Sequence, residues 1–155
     1  FEIAQQEAIE NQDDPFAWFN MGSSLVMLAR FYENDPEQQL QHYSWAATAF
    51  DQARNAGEGL PWRMLWYQFG PLEAYNAVGR YDDTISLARA TIATKGADDE
   101  YLPVEEIYYY AGVAREAQGD IERALANYQT ALLLNNNFTP AQEALESLQQ
   151  RINNG

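Results

Sequence analysis

Residues Glu105 to Phe138 read EEIYYYAGVAREAQGDIERALANYQTALLLNNNF. Two amphipathic segments flank Gly119-Asp120. The first places Tyr108, Ala111, Gly112 and Arg115 at helical spacing, and the second places Ala124, Tyr128 and Ala131 on one face. Two short helices joined by a tight turn, each with one apolar stripe, cannot bury those stripes alone. They need a partner of the same kind, so the rest of the chain can be searched for the same pattern.

The pattern resembles the tetratricopeptide signature, W-x2-L-G-x2-Y in one helix, then A-x3-F and a small residue in the next, with a period of about 34. Tyr108 stands for the Trp, and Ala111-Gly112 for Leu-Gly. Ala124, Tyr128 and Ala131 take the second-helix positions. Arg115 departs from the expected Tyr, and Asn136 from the usual Pro. The resemblance implies an all-α fold, a right-handed superhelix of antiparallel helix pairs closed by a C-terminal capping helix.

Upstream, Trp18, Met21, Gly22 and Leu25 repeat the first-helix spacing, and Ala46, Phe50 and Ala53 repeat the second. Asp14-Pro15 and Asp35-Pro36 each supply a capping oxygen and a proline suited to the first helical turn. This repeat, residues 14–60, exceeds the usual length. The excess lies between Phe31 and Tyr43, as helical extension on both sides of the turn. Gly57 and Gly59 can end its second helix at positive φ. Residues 61–102 form a weaker repeat in which Thr84 and Thr91 replace small residues. There Pro71, inside the run LPWRMLWYQFGPLEAYNAVG, predicts one bent helix, or two short ones. Residues 103–138 are the repeat quoted first, and 139–152 read as the capping helix, with Ala144, Leu145, Leu148 and Ile152 on one face. Residues 1–13, with Ala4, Ala8 and Ile9 on one face, resemble the end of a preceding repeat. Phe1 then lies inside a helix whose partner is missing, which implies a longer parent chain. The whole is read as a single domain.

Composition narrows the function. The 155 residues carry a formal charge of −14, with only nine Lys and Arg. A groove that follows phosphates needs clustered cations, so nucleic acid is not an expected partner. No run approaches the ~20 apolar residues of a membrane span. Cysteine is absent, which removes disulfides, thiolate metal sites and a Cys nucleophile. His42 is the only histidine and has no carboxylates placed around it by sequence, so it reads as a helix residue rather than a metal ligand or catalytic base. Asp98-Asp99-Glu100 lacks the spacing of a calcium loop. Asp13-Asp14 and Asp82-Asp83 sit at helix starts, where carboxylates favour the dipole. No catalytic, metal or cofactor site is expected, and the chain is not read as an enzyme.

In tetratricopeptide superhelices the first helix of each pair lines the concave surface. Carried over by register, the resemblance implies three matching faces. They are Phe16, Phe19, Ser23 and Val26; Trp66, Phe69, Glu73 and Asn76; and Glu106, Tyr109, Val113 and Glu116, with Tyr110 beside the third. The expected function is a protein- or peptide-binding scaffold with an aromatic, acidic groove for a neutral or basic segment. Family members that clamp a terminal carboxylate use Lys, Asn and Arg on this face. Phe19, Ser23, Glu106 and Tyr110 stand there instead, so no carboxylate clamp is expected. Open end faces also suggest weak self-association.

A narrower resemblance is carried by LPWRMLWYQFGPLEAYNAVGRYDD and LLLNNNFTPAQEAL. These runs are similar to the repeat-containing tail of bacterial C39-like peptidases. That resemblance implies an accessory domain packed on its parent peptidase, extracytoplasmic or membrane-attached through it. Without that parent, the location is otherwise read as cytoplasmic.

Overall fold

The computed structural model describes residues 1–58, 65, 68–94 and 104–154. All regular structure among them is helical. The helices are α1 Glu2–Glu10, α2 Pro15–Phe31, α3 Pro36–Asn55, α4 Gly70–Ala77, α5 Tyr81–Ala93, α6 Glu105–Ala117, α7 Ile121–Leu134 and α8 Thr139–Asn154. They fall into two compact units, Phe1–Gly79 with α1 to α4, and Arg80–Gly155 with α5 to α8. The division falls inside residues 61–102, so the segment read as one repeat contributes α4 to the first unit and α5 to the second.

Local chemistry explains most helix ends. Asp14 accepts from the Phe16 N–H at 2.9 Å, and Pro15 is the first helical residue. Asp35 accepts from the Gln38 N–H at 3.2 Å ahead of Pro36. Each such cap contributes about 1 kcal/mol. Gly119, at φ +79°, ends α6. Its N–H reaches the Glu116 carbonyl and the Asp120 N–H reaches the Arg115 carbonyl, both at 2.9 Å, which is the double closure of a Schellman turn. Asp120 then caps α7.

Two expectations need correction. Pro71 does not kink a helix interior. α4 begins at Gly70, and Pro71 occupies its first turn, where the missing N–H leaves no bond unmade. Residues 68 and 69 are not helical, so a continuous helix through this segment is excluded, while residues 59–64, 66 and 67 lie outside the described residues. Ile9 does not share the buried face of α1. Ala8 is fully buried and Ile9 is 53% exposed. At the other end, α8 runs to Asn154, two residues past the expected 139–152.

In the first unit α2 and α3 form a hairpin. Gln39 at the start of α3 bonds the Ala29 carbonyl near the end of α2, while Phe50 near the end of α3 meets Gly22 and Phe19 in the first half of α2. The order is reversed, so the helices are antiparallel. α1 packs on α2, and α4 packs on both α2 and α3. The extension expected around the turn is present, with 17 and 20 residues in α2 and α3 against 13 and 14 in α6 and α7.

The second unit repeats the hairpin. Glu105 at the start of α6 meets Asn135 just beyond α7, and Glu116 near its end meets Tyr128. α5 packs on α6, and α8 packs on α7 and α6. Ala124, Tyr128 and Ala131 are buried, as are Ala46, Phe50 and Ala53 at the same positions of the first hairpin. Leu148 of α8 joins the core with Ala124 and Tyr128, while Ala144 and Leu145 pack at its edge.

Each hairpin closes on one aromatic ring set against a glycine. A Cβ placed on Gly22 would lie 2.6 Å from Phe50 Cε1, and one on Gly112 would lie 2.5 Å from Tyr128 Cε1. Gly70 approaches Phe50 from another side, its Cβ position 3.0 Å from Cζ. Helix propensity alone favours Ala over Gly by about 1 kcal/mol. Overpacking costs about 1–3 kcal/mol. The steric term should win at these two sites. Gly22→Ala and Gly112→Ala are each expected to lower the urea midpoint of unfolding at unchanged m, and an unchanged or raised midpoint would show that the rings yield freely.

Candidate functional site

The three faces read from the sequence must be placed one unit at a time. In the first unit, Phe19 is 2% exposed and packs on Phe50 with ring centroids 5.2 Å apart. Val26 is buried, near the Cβ position of Gly70. Phe19 and Val26 are therefore core, Phe19 against Phe50 of α3 and Val26 against the start of α4. Ser23 is half-buried, and Phe16 is 44% exposed. Of the second face, Trp66 lies outside the described residues. Phe69 is the half-buried residue preceding α4, and Asn76 is half-buried on it.

Glu73 is not a carboxylate waiting for a ligand. Its Oε1 accepts from the Tyr43 hydroxyl at 2.7 Å and from Arg30 Nε at 2.9 Å, and Arg30 Nη2 holds Oε2. Three helices meet at one carboxylate. Burial pushes the Tyr43 phenol up, and Glu73 pushes it further while Arg30 opposes. Nearby, the Tyr75 hydroxyl donates to Asp51 at 2.7 Å, with Arg54 beside it at 3.5 Å.

The second unit carries the same arrangement. The Tyr128 hydroxyl donates to Glu116 Oε2 at 2.6 Å, and Arg151 from α8 holds Oε1. Burial raises the Tyr128 phenol, with Glu116 adding to the rise. Tyr109 meets Phe138 edge-on at 5.6 Å and Tyr110 at 5.2 Å. Val113 packs at the edge of the Tyr128 and Leu148 core. Tyr109, Val113 and Glu116 thus lie under or against the C-terminal segment, rather than lining an open surface. Glu106 and Tyr110 remain half-exposed. Burial raises the Glu106 carboxyl, and the neighbouring charge of Glu105 adds to the rise.

The sequence named these carboxylates without their partners. Arg30 is 43 residues from Glu73, and Arg151 is 35 from Glu116. Neither pairing leaves a local spacing signal. His42 is buried, its Nδ1 2.7 Å from the Gln38 carbonyl and its ring stacked on Tyr32 at 4.9 Å. Among the described residues, no group of three His, Asp or Glu is placed to hold a metal ion. None of their helices is long and apolar enough to cross a membrane.

No family model, curated protein or solved structure matches this chain.

The tyrosine clasps set an alkaline limit on stability. Burial, chiefly, pushes the Tyr75 phenol from 10.0 up to about 12. The unfolded chain releases that proton first, so the stabilisation is complete below pH 10 and is lost as pH rises toward about 12. The melting temperature should fall across that window, and less steeply in Tyr75→Phe than in the parent. Parallel slopes would remove Tyr75 as a contributor.

Proposed function

We propose that this chain is a helical-repeat interaction module of the tetratricopeptide type, which binds a protein or peptide segment. The observation that carries the reading is the repeated register. Gly22 packs against Phe50 in one hairpin as Gly112 packs against Tyr128 in the other, and Trp18 and Met21 precede Gly22 at the spacings at which Tyr108 and Ala111 precede Gly112. A chain that repeats one packing unit builds surface in proportion to its length, and such surfaces serve for binding. The superhelical stacking and its concave groove belong to this proposal.

The ligand-facing set is narrower than the sequence suggested. Phe19 serves the core, and Glu73 and Glu116 serve the clasps. Tyr110 and Glu106 are the part of the third face that a ligand would use, an aromatic ring beside a carboxyl group. That pairing suits a basic side chain with an apolar stem. A second reading, the accessory domain of a C39-like peptidase, is favoured by α1, where Ile3 is 85% exposed and Ile9 53% exposed. A neighbouring domain would cover them.

Peptide-display selection on the purified chain tests the choice. Basic or proline-rich peptides should be enriched, and Tyr110→Ala and Glu106→Gln should each weaken the best of them by about tenfold, the order of one cation–π or charge-assisted contact. Absence of enrichment would favour the accessory-domain reading. Enrichment untouched by either substitution would place the binding face elsewhere.

A further inference from the structure

Most of the face read for ligands on α6 is engaged by the segment around α8. Phe138, just ahead of α8, meets Tyr109 in the first half of α6. Arg151, near the end of α8, holds Glu116 near the end of α6. Between them Leu148 joins Ala124 and Tyr128 in one core, with Tyr109, Val113 and Leu145 packed against it. Tyr109, Val113 and Glu116 are thereby taken up within the chain, while Glu106 stays half-exposed beside Tyr110.

The segment has the chemistry of a ligand for that face. It sets a ring on Tyr109, a leucine in the apolar middle and a guanidinium on the acidic point. Ala141, Ala144, Leu145 and Leu148 follow the spacing of one helical stripe, and Arg151 comes three residues after Leu148. The acids of α8, Glu143 and Glu146, are exposed.

α8 is also held lightly. Of its 16 residues only Ala141 and Leu148 are buried. Among the described residues, its one side-chain bond to α6 or α7 is that of Arg151 to Glu116. The Arg151 side chain is 58% exposed there, and a pair so open to water contributes little. Residues 135–138 join α7 to α8, and Asn136 and Asn137 among them are exposed. A segment with few buried apolar contacts opens more readily than the core it covers. We propose that α8 is a displaceable lid, a built-in ligand of the α6 face, and that the partner replacing it is an amphipathic helical segment with a leucine followed three residues later by an arginine. The inference rests on the binding face proposed above and adds its regulation and the chemistry of its partner. With α8 seated, Glu106 and Tyr110 are the part left for a ligand; with α8 displaced, Tyr109, Val113 and Glu116 join them.

A labelled peptide of residues 138–154, followed by fluorescence anisotropy on the full chain, tests this. It should bind the parent weakly and a chain carrying Leu148→Ala about tenfold more tightly, because a loosened lid leaves the face open more often. The same Leu148→Ala change made in the peptide should weaken its binding by about tenfold. Leu145→Ala, at the edge of the core, should give the same pair of opposite shifts and decides the matter if Leu148→Ala does not fold. Native-state hydrogen exchange gives a readout free of any peptide. The α8 amides should exchange about tenfold faster than those of α7, through an opening that leaves α6 and α7 protected. Equal protection of α7 and α8, no binding of the peptide to any chain, or equal binding to the parent and the loosened chains would each overturn the lid. The two proposals fail separately. Display-selected peptides that bind without competing with the α8 peptide would overturn the lid and leave the function. Binding of the α8 peptide as expected, with no peptide enriched by display, would uphold a displaceable α8 and overturn the function proposed above.

Discussion

An aromatic ring against a glycine is the contact on which each hairpin depends. Phe50 against Gly22 and Tyr128 against Gly112 bring two helix backbones closer than any other residue in place of glycine would allow. A mid-helix glycine is about 1 kcal/mol worse than alanine for the helix itself, so its presence at both sites points to a packing demand that outweighs propensity. The neighbouring alanines follow from the same demand. Ala46, Ala53, Ala124 and Ala131 are fully buried because a larger side chain one turn from the ring would hold the helices apart. Cores of this kind are specified by shape as much as by apolar area.

Polar residues complete the assembly from outside the core. Each unit holds a glutamate between a tyrosine from one helix and an arginine from another, Glu73 with Tyr43 and Arg30, and Glu116 with Tyr128 and Arg151. A tyrosine can do both jobs, as Tyr128 does, its ring against Gly112 and its hydroxyl on Glu116. This arrangement changes the functional picture. Carboxylates that look available along a helix face are already committed. Of the third face, Glu106 and Tyr110 are half-exposed.

Helix positions and core partners were legible because they rest on local chemistry. Asp14-Pro15, Asp35-Pro36 and Gly119 mark ends whose caps and turns need only a few consecutive residues. The 3.6-residue stripe marks the buried sides of α3 and α7. The long-range partners were not legible. Nothing in the spacing of Arg30, Tyr43 and Glu73 links residues 30 and 43 positions apart. The same limit misplaced Phe19. A register assigns a side chain to a face of its own helix, but whether that face is open depends on where its neighbours lie, here Phe50 of α3. Pro71 failed for a related reason, since an apolar run on both sides suggested a continuous helix where the chain starts a new one at Gly70.

A double-mutant cycle on Gly112 and Tyr128 addresses the central contact most directly. Gly112→Ala, Tyr128→Leu and the pair would be compared with the parent by urea unfolding. If the ring is what excludes a Cβ, then in the Tyr128→Leu background the alanine becomes neutral or stabilising, and the coupling lies within about 0.5–3 kcal/mol. Additive costs, with alanine equally damaging in both backgrounds, would contradict the account and place the demand for glycine in something other than the ring.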